Sequence, residues 1–172
     1  MTGPRVRIIH LTADALVALA SGDLEGASTD AGVSLTPWLV SDEAIGTWRY
    51  RATQVAATPA DLGWVTGVIW DEDRGVVVGK AGFHAAPDAA GMVEVGYAVD
   101  PAERRRGYAR AALLAMLDRA RAEPSVHTLR ATVSPGNSAS LGLIAQLPFV
   151  EVGEQWDEED GLETIYELPV RD

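Results

Sequence analysis

The stretch Val93-Glu94-Val95-Gly96-Tyr97-Ala98-Val99-Asp100-Pro101-Ala102-Glu103-Arg104-Arg105-Arg106-Gly107-Tyr108-Ala109-Arg110 decides how the rest of the chain is read. Its first half predicts a strand, and Gly107 opens a helix rich in alanine and leucine. Between them lies a tight turn loaded with arginine. A turn that feeds a helix start leaves several main-chain N–H groups unpaired, beside the positive end of the helix dipole. Such an array binds anions, phosphate most naturally.

The same residues also admit a plainer reading. Asp100-Pro101-Ala102-Glu103 resembles an ordinary helix start, with Asp as N-cap, Pro at N1 and Glu at N3. The arginines would then be solvated residues of a first helical turn. Three cations there oppose the dipole at about 0.3–1 kcal/mol each. Gly107 inside that helix costs about another 1 kcal/mol relative to alanine. Local faults of this kind concentrate where a ligand offsets them, so the anion site is the preferred reading.

Working outward, residues 5–11 read as a first strand and Thr12 as the N-cap of a helix through Ala20. Residues 21–35, rich in Gly, Ser, Asp and Thr, read as a loop. Ser41 caps a second helix over residues 42–57, which Pro59 stops. Residues 64–70 and 76–83 form a hairpin around the turn 71–75. Downstream come a helix over 108–122, a buried strand over 129–134 and a short helix over 139–147. A terminal hairpin, 149–156 with 162–170, turns at 157–161. The order β α α β β β α β α β β implies one α/β (α+β) domain over residues 1–172. It has a mixed, mostly antiparallel central sheet flanked by helices, with one right-handed crossover.

Composition bounds the function. The 172 residues carry 47% hydrophobic and 23% charged side chains, as an ordinary globular protein does. The absence of cysteine excludes a disulfide framework, a thiolate zinc site and a cysteine nucleophile. No secretory signal or run of about 20 apolar residues is visible, so a cytoplasmic location is expected. A net charge of −11 disfavours nucleic acid and anionic membrane as partners. Against it, four of the 14 Lys+Arg residues fall within 104–110, which suggests a locally held anion and a cationic second substrate.

Arg104-x-x-Gly107-x-Ala109 resembles the Gln/Arg-x-x-Gly-x-Gly/Ala signature of the GNAT superfamily of N-acetyltransferases. Asn137-x-x-Ser140, before an apolar helix and Phe149, resembles a second region of that family. The likeness covers about residues 64–170 and is nearest the branch that includes ribosomal-protein-alanine acetyltransferases. It implies acetyl-CoA as co-substrate, bound over about residues 93–148, and no metal. By this resemblance the main-chain N–H groups of Arg105, Arg106, Gly107, Tyr108 and Ala109 hold the pyrophosphate. Arg104, Arg105, Arg106 and Arg110 would supply cationic side chains. The backbone of Tyr97, Ala98 and Val99 would run beside the pantetheine arm, Asn137 would hydrogen-bond it, and Ser140 would lie nearby. Acceptors in the superfamily are selected by segments that correspond here to about residues 12–60 and the terminal hairpin.

Acetyl transfer to an amine needs a neutral nucleophile, an oxyanion donor and a departing thiolate. Lysine-like amines have pKa values near 10.4 and α-amino groups near 8, so a base matters more for the former. Glu94 is the candidate general base, because strand alternation puts it on one face with the small residues Gly96 and Ala98. A half-exposed surface carboxylate is the alternative. The N–H of Val99 or a neighbour is the oxyanion donor. Many family members carry Tyr as the acid for the thiolate, whereas the aligned residue here is Ile144, most simply a core residue. Their Gly-Phe is here Pro148-Phe149. Ser138, Ser140 or water takes the acid's place, or none is needed, since a thiol of pKa about 8.5 leaves readily.

Other features have bland readings. The acidic tip 157–160 is a solvated turn rather than a magnet for cationic acceptors, and Trp38, Trp48, Trp64 and Trp70 are core rather than pocket lining. His10, His84 and His127 lack metal-ligand spacing. Three functions stay open at this point. The first is an acetyl-CoA-dependent N-acetyltransferase working by direct attack on a peptide N-terminus, lysine, polyamine or antibiotic amine. The second is a non-catalytic acyl-CoA-binding or sensing module, and the third a general nucleotide binder, which lacks a P-loop lysine. A homodimer through a sheet edge or the terminal hairpin is a further expectation.

Overall fold

The structure is a computed structural model, describing residues 2–172. Strand β1 spans Val6–Ile9, and helix α1 spans Ala13–Ala20. Thr12 caps α1 by accepting the Ala15 N–H at 3.1 Å, and Ala15, Leu16 and Leu19 form its buried side. The segment read as a loop contains a helix instead, α2 at Leu24–Ala31. Asp23 caps it through the Gly26 N–H at 2.9 Å, and Gly32 at φ 72° ends it. It buries only Ala27, so its sequence shows no apolar stripe; the caps at both ends define it.

A 3-10 turn at Pro37–Val40 leads to α3, Asp42–Ala57. Ser41 occupies the N-cap position as expected, but its side chain makes no capping bond. After a 3-10 turn at Pro59–Asp61 come β2 (Gly67–Asp71), β3 (Val76–Phe83) and β4 (Met92–Val99). Strand β2 starts three residues later than read, since Val65 only bridges Phe83 in isolation. The chain closes with α4 (Tyr108–Ala122), β5 (Thr128–Val133), α5 (Ser138–Ile144), β6 (Val150–Asp157) and β7 (Gly161–Pro169). Helix α5 ends earlier than read because Leu147 precedes a proline, which disfavours helical backbone.

Contacts divide the chain into two compact units, one of Met1–Ala86 with Gly96–Met116 and the other of Pro87–Val95 with Leu117–Asp172. In the first unit β1, β2 and β3 are antiparallel, with Ile8 opposite Ile69 and a bulge at Ile69/Trp70. Its apolar cluster gathers Leu16, Leu19, Leu39, Trp48, Val65 and Val68, which joins helices α1 and α3 to the sheet. In the second unit β4 runs parallel to β5, with Val93 opposite Leu129, as the crossover helix requires. Strands β5, β7 and β6 follow as an antiparallel ladder. Strand β5 is buried on one face only, through Leu129, Ala131 and Val133. A mixed α/β architecture with a mostly antiparallel seven-stranded sheet was the sequence expectation, and the fold has it. Among the described residues no helix is long and apolar enough to cross a membrane.

Candidate active site

The residues after β4 form neither a continuous helix nor a plain loop. Asp100 accepts the Ala102 N–H at 2.9 Å and its carbonyl accepts the Glu103 N–H at 2.8 Å, which closes a single 3-10 turn, Pro101–Glu103. The helix-start signal is thus spent on that turn alone. Arg104 is extended, then Arg105 and Gly107 both enter the left-handed region, at φ 62° and 84°. Arg105 is the one described non-glycine residue there, a conformation that costs roughly 1–2 kcal/mol. Helix α4 begins at Tyr108, and the Ala111 N–H closes its first turn on the Gly107 carbonyl at 3.0 Å. Among the described residues, the N–H groups of Arg105, Arg106, Gly107, Tyr108 and Ala109 donate to no protein acceptor.

The side chains of the turn are less uniformly available than the sequence suggests. Arg104 folds back, donating Nε to the Val99 carbonyl at 3.1 Å and an amine to Glu43 of α3 at 3.0 Å. Arg106 pairs with Glu103 at 3.0 Å. Arg74 grips Glu103 through two bonds of 2.7 and 3.1 Å and donates to the Tyr108 hydroxyl at 2.9 Å. Tyr108, only 4% exposed, in turn donates to buried Asp71. This chain of bonds fixes the turn against the β2–β3 hairpin. Burial and then the bond to Asp71 push the Tyr108 pKa up. Burial opposes the Asp71 carboxylate, but bonds from Tyr108, Arg74 and Asp73 outweigh it and hold its pKa below the ordinary value. Tyr108 is therefore an anchor through its ring, and offers a ligand only its N–H.

In the second unit Glu94 is half-buried and accepts the Thr132 hydroxyl at 2.7 Å. Asn137 caps α5, its Oδ1 accepting the Ser140 N–H at 3.1 Å, so the Asn-x-x-Ser motif is a helix cap first. Ile144 is 2% exposed and is a core residue. The tip at Asp157 is a solvated turn, its carboxylate accepting the Glu159 and Asp160 N–H groups. Trp48 is fully buried, and Trp38 and Trp70 pack against the same core.

Two groups in the first unit escaped the sequence reading. Lys80 of β3 donates to Thr47 of α3, and burial, then Arg51, lower its pKa to about 8. Arg51, Gln54 and Asp61 form a buried polar network around the segment after β3. Arg51 donates to Thr66 at 3.2 Å and, with Gln54, to the His84 carbonyl at 3.1 and 2.7 Å. The three-residue spacing of Arg51 and Gln54 on α3 was the available signal, but the His84 carbonyl they share lies 33 and 30 residues away.

The acetyltransferase (GNAT) domain profile matches residues 5–150. The chain belongs to the GNAT acetyltransferases. Membership in the GNAT family implies acyl transfer from acetyl-CoA to an amine. A relative, the uncharacterized N-acetyltransferase YjdG of Bacillus subtilis (strain 168), is 30% identical over 115 residues, covering 66% of this chain and 67% of its own. The ribosomal-protein-S5-alanine acetyltransferase from Vibrio fischeri has a similar fold at TM-score 0.62 and 18% identity, over 97% of this chain and 93% of that one. So does the microcin C7 self-immunity acetyltransferase MccE, solved with acetyl-CoA and AMP, at TM-score 0.64 and 11% identity over 96% and 92%.

Proposed function

We propose that this GNAT acetyltransferase moves an acetyl group from acetyl-CoA to a primary amine, a protein N-terminal α-amine or a small-molecule amine, by direct attack. The array of N–H groups from Arg105 to Ala109 carries the reading. Two left-handed residues in three positions accompany a run of amides without protein acceptors at a helix head, an arrangement that fits a pyrophosphate. Arg105 adds charge to it, whereas Arg104 and Arg106 already hold carboxylates and contribute less. The amide Nδ2 of Asn137 is the donor proposed for the pantetheine arm, since its Oδ1 is engaged by Ser140.

Glu94 is proposed to serve the amine, as a carboxylate that draws its ammonium form and accepts a proton. Buried Ile144 leaves the thiolate without a side-chain acid, which is tolerable for a leaving group of this acidity. Most of the rate would then come from holding donor and acceptor in line.

The test is a panel of peptides with free N-termini, lysines, polyamines and aminoglycosides, read by coenzyme A release. Acetyl-CoA at 100 times Kd is expected to add about 2.7 kcal/mol of stability. Binding without thiol release from any amine would favour the acyl-CoA-sensing alternative. In an active assay Glu94→Gln is expected to lower kcat/KM, and an unchanged value across pH would remove Glu94 from the reaction.

A further inference from the structure

Residue 84 receives more main-chain support than any loop position needs. Its carbonyl accepts from Arg51 and Gln54, Gln54 also donates to Asp61 at 2.8 Å, and the other Asp61 oxygen accepts the Ala86 N–H at 2.9 Å. Arg51 is 8% exposed and Asp61 7%. Burying a guanidinium and a carboxylate costs several kcal/mol per ion unless both are bonded, so such a network is costly. Here it immobilises the backbone of residues 84–86.

The side chain so held lies on Gly96 of β4. A Cβ on Gly96 would stand 3.0 Å from Nε2 of His84 and 3.4 Å from Cδ2. The imidazole therefore occupies space that any other residue at 96 would fill, on the strand beside which acetyl-CoA is proposed to run. It is half-buried rather than sealed in the core.

We propose that His84 is the proton acceptor of the transfer reaction, seated on Gly96 by the Arg51–Gln54–Asp61 clamp. The inference rests on the acetyltransferase reading and gives the imidazole the proton-accepting part there proposed for Glu94. As the acceptor nitrogen forms its bond to the thioester carbonyl carbon, the C–S bond breaks and its electron pair stays on sulfur. The proton lost from nitrogen goes to Nε2 and on to solvent, and the thiolate takes a proton from solvent. An imidazole ordinarily titrates near 6.5 and a glutamate near 4.3, so the two bases leave different pH signatures. Arg51 from α3 bonds the His84 carbonyl and Asp61 from the preceding 3-10 turn bonds the Ala86 N–H, and neither ordinarily titrates between pH 5 and 7.

The experiment measures kcat/KM against pH for the wild type, His84→Gln and Glu94→Gln, with the best amine from the panel, alongside calorimetric binding of acetyl-CoA. The wild type is expected to lose activity on the acid side through an imidazole-range pKa. His84→Gln is expected to abolish that limb and lower kcat by about 10²- to 10⁴-fold, with acetyl-CoA affinity kept. Free imidazole is expected to restore part of the rate to His84→Ala, which a merely structural role would not allow. Gly96→Ala, which keeps the base but crowds Nε2, is expected to slow kcat with the same limb present. A limb and rate retained in His84→Gln would overturn the inference alone. Acetyl-CoA binding with no amine acetylated by the wild type would overturn the acetyltransferase reading and this inference with it.

Discussion

Arg105 stands in a conformation that glycine or asparagine would adopt at lower cost, and it does so at the start of the unpaired amides. Strain of this kind persists where the surroundings or a ligand over-determine it. Arg105→Asn keeps the left-handed backbone, so melting of the ligand-free protein is expected to be unchanged or slightly higher. Calorimetry is expected to show weaker acetyl-CoA binding, because one cation is gone. Equal affinity in this variant would mean that the pyrophosphate is held by amides alone. The arginines illustrate a general limit of reading residue types. Four cations in seven positions were legible, but Glu43 and Glu103, which occupy two of them, come from elsewhere in the fold.

Among the elements, α4 and α5 each begin with a helix head that the sequence announced, and they use it differently. Gly107 leaves its amides open, while Asn137 closes one of its own through Ser140. The two functions of Asn137 can be separated. Asn137→Asp retains the capping oxygen and suits the dipole, so stability is expected to hold, whereas Asn137→Ala is expected to cost about 0.5–2 kcal/mol in urea unfolding. Both variants lack Nδ2 and are expected to bind acetyl-CoA more weakly. Tight binding by the aspartate variant would remove Asn137 from the pantetheine contact. Helix α2 is the element the sequence hid. Its single buried residue, Ala27, produces no periodicity, and Asp23 and Gly32 read equally well as loop residues until the chain around them is seen folded.

At the scale of the whole molecule, the half-buried Lys80 links stability to pH. Its folded pKa of about 8 lies below the ordinary value of 10.5. Between those limits the unfolded chain binds the extra proton, so this group's contribution rises with pH and is fully present only above the unfolded value. Lys80→Met is therefore expected to be more stable than the wild type near neutral pH, by a margin that narrows as pH rises from about 8 toward 10.5. Urea unfolding of both proteins across that range measures it. A margin that stays constant with pH would show that Lys80 is charged throughout the folded state.

What the sequence by itself determined is local. The strand ending at Val99 and the helix head at Gly107 follow from the backbone preferences of consecutive residues, whereas the isolated 3-10 turn and the left-handed Arg105 emerged only in the folded chain. Because an anion site of this kind is made mainly of main-chain groups, the expectation of a bound pyrophosphate needed no tertiary contact. Ile144 was likewise readable as core from its apolar neighbours. The tertiary structure alone decided which side chains meet. Arg51, Gln54 and Asp61 converge on residues 84–86, and the His84 ring settles on Gly96, across separations that no periodicity encodes. Main-chain chemistry is written in runs of neighbouring residues, whereas proton-transfer chemistry depends on pairs that only the folded sheet and its covering helix bring within bonding distance.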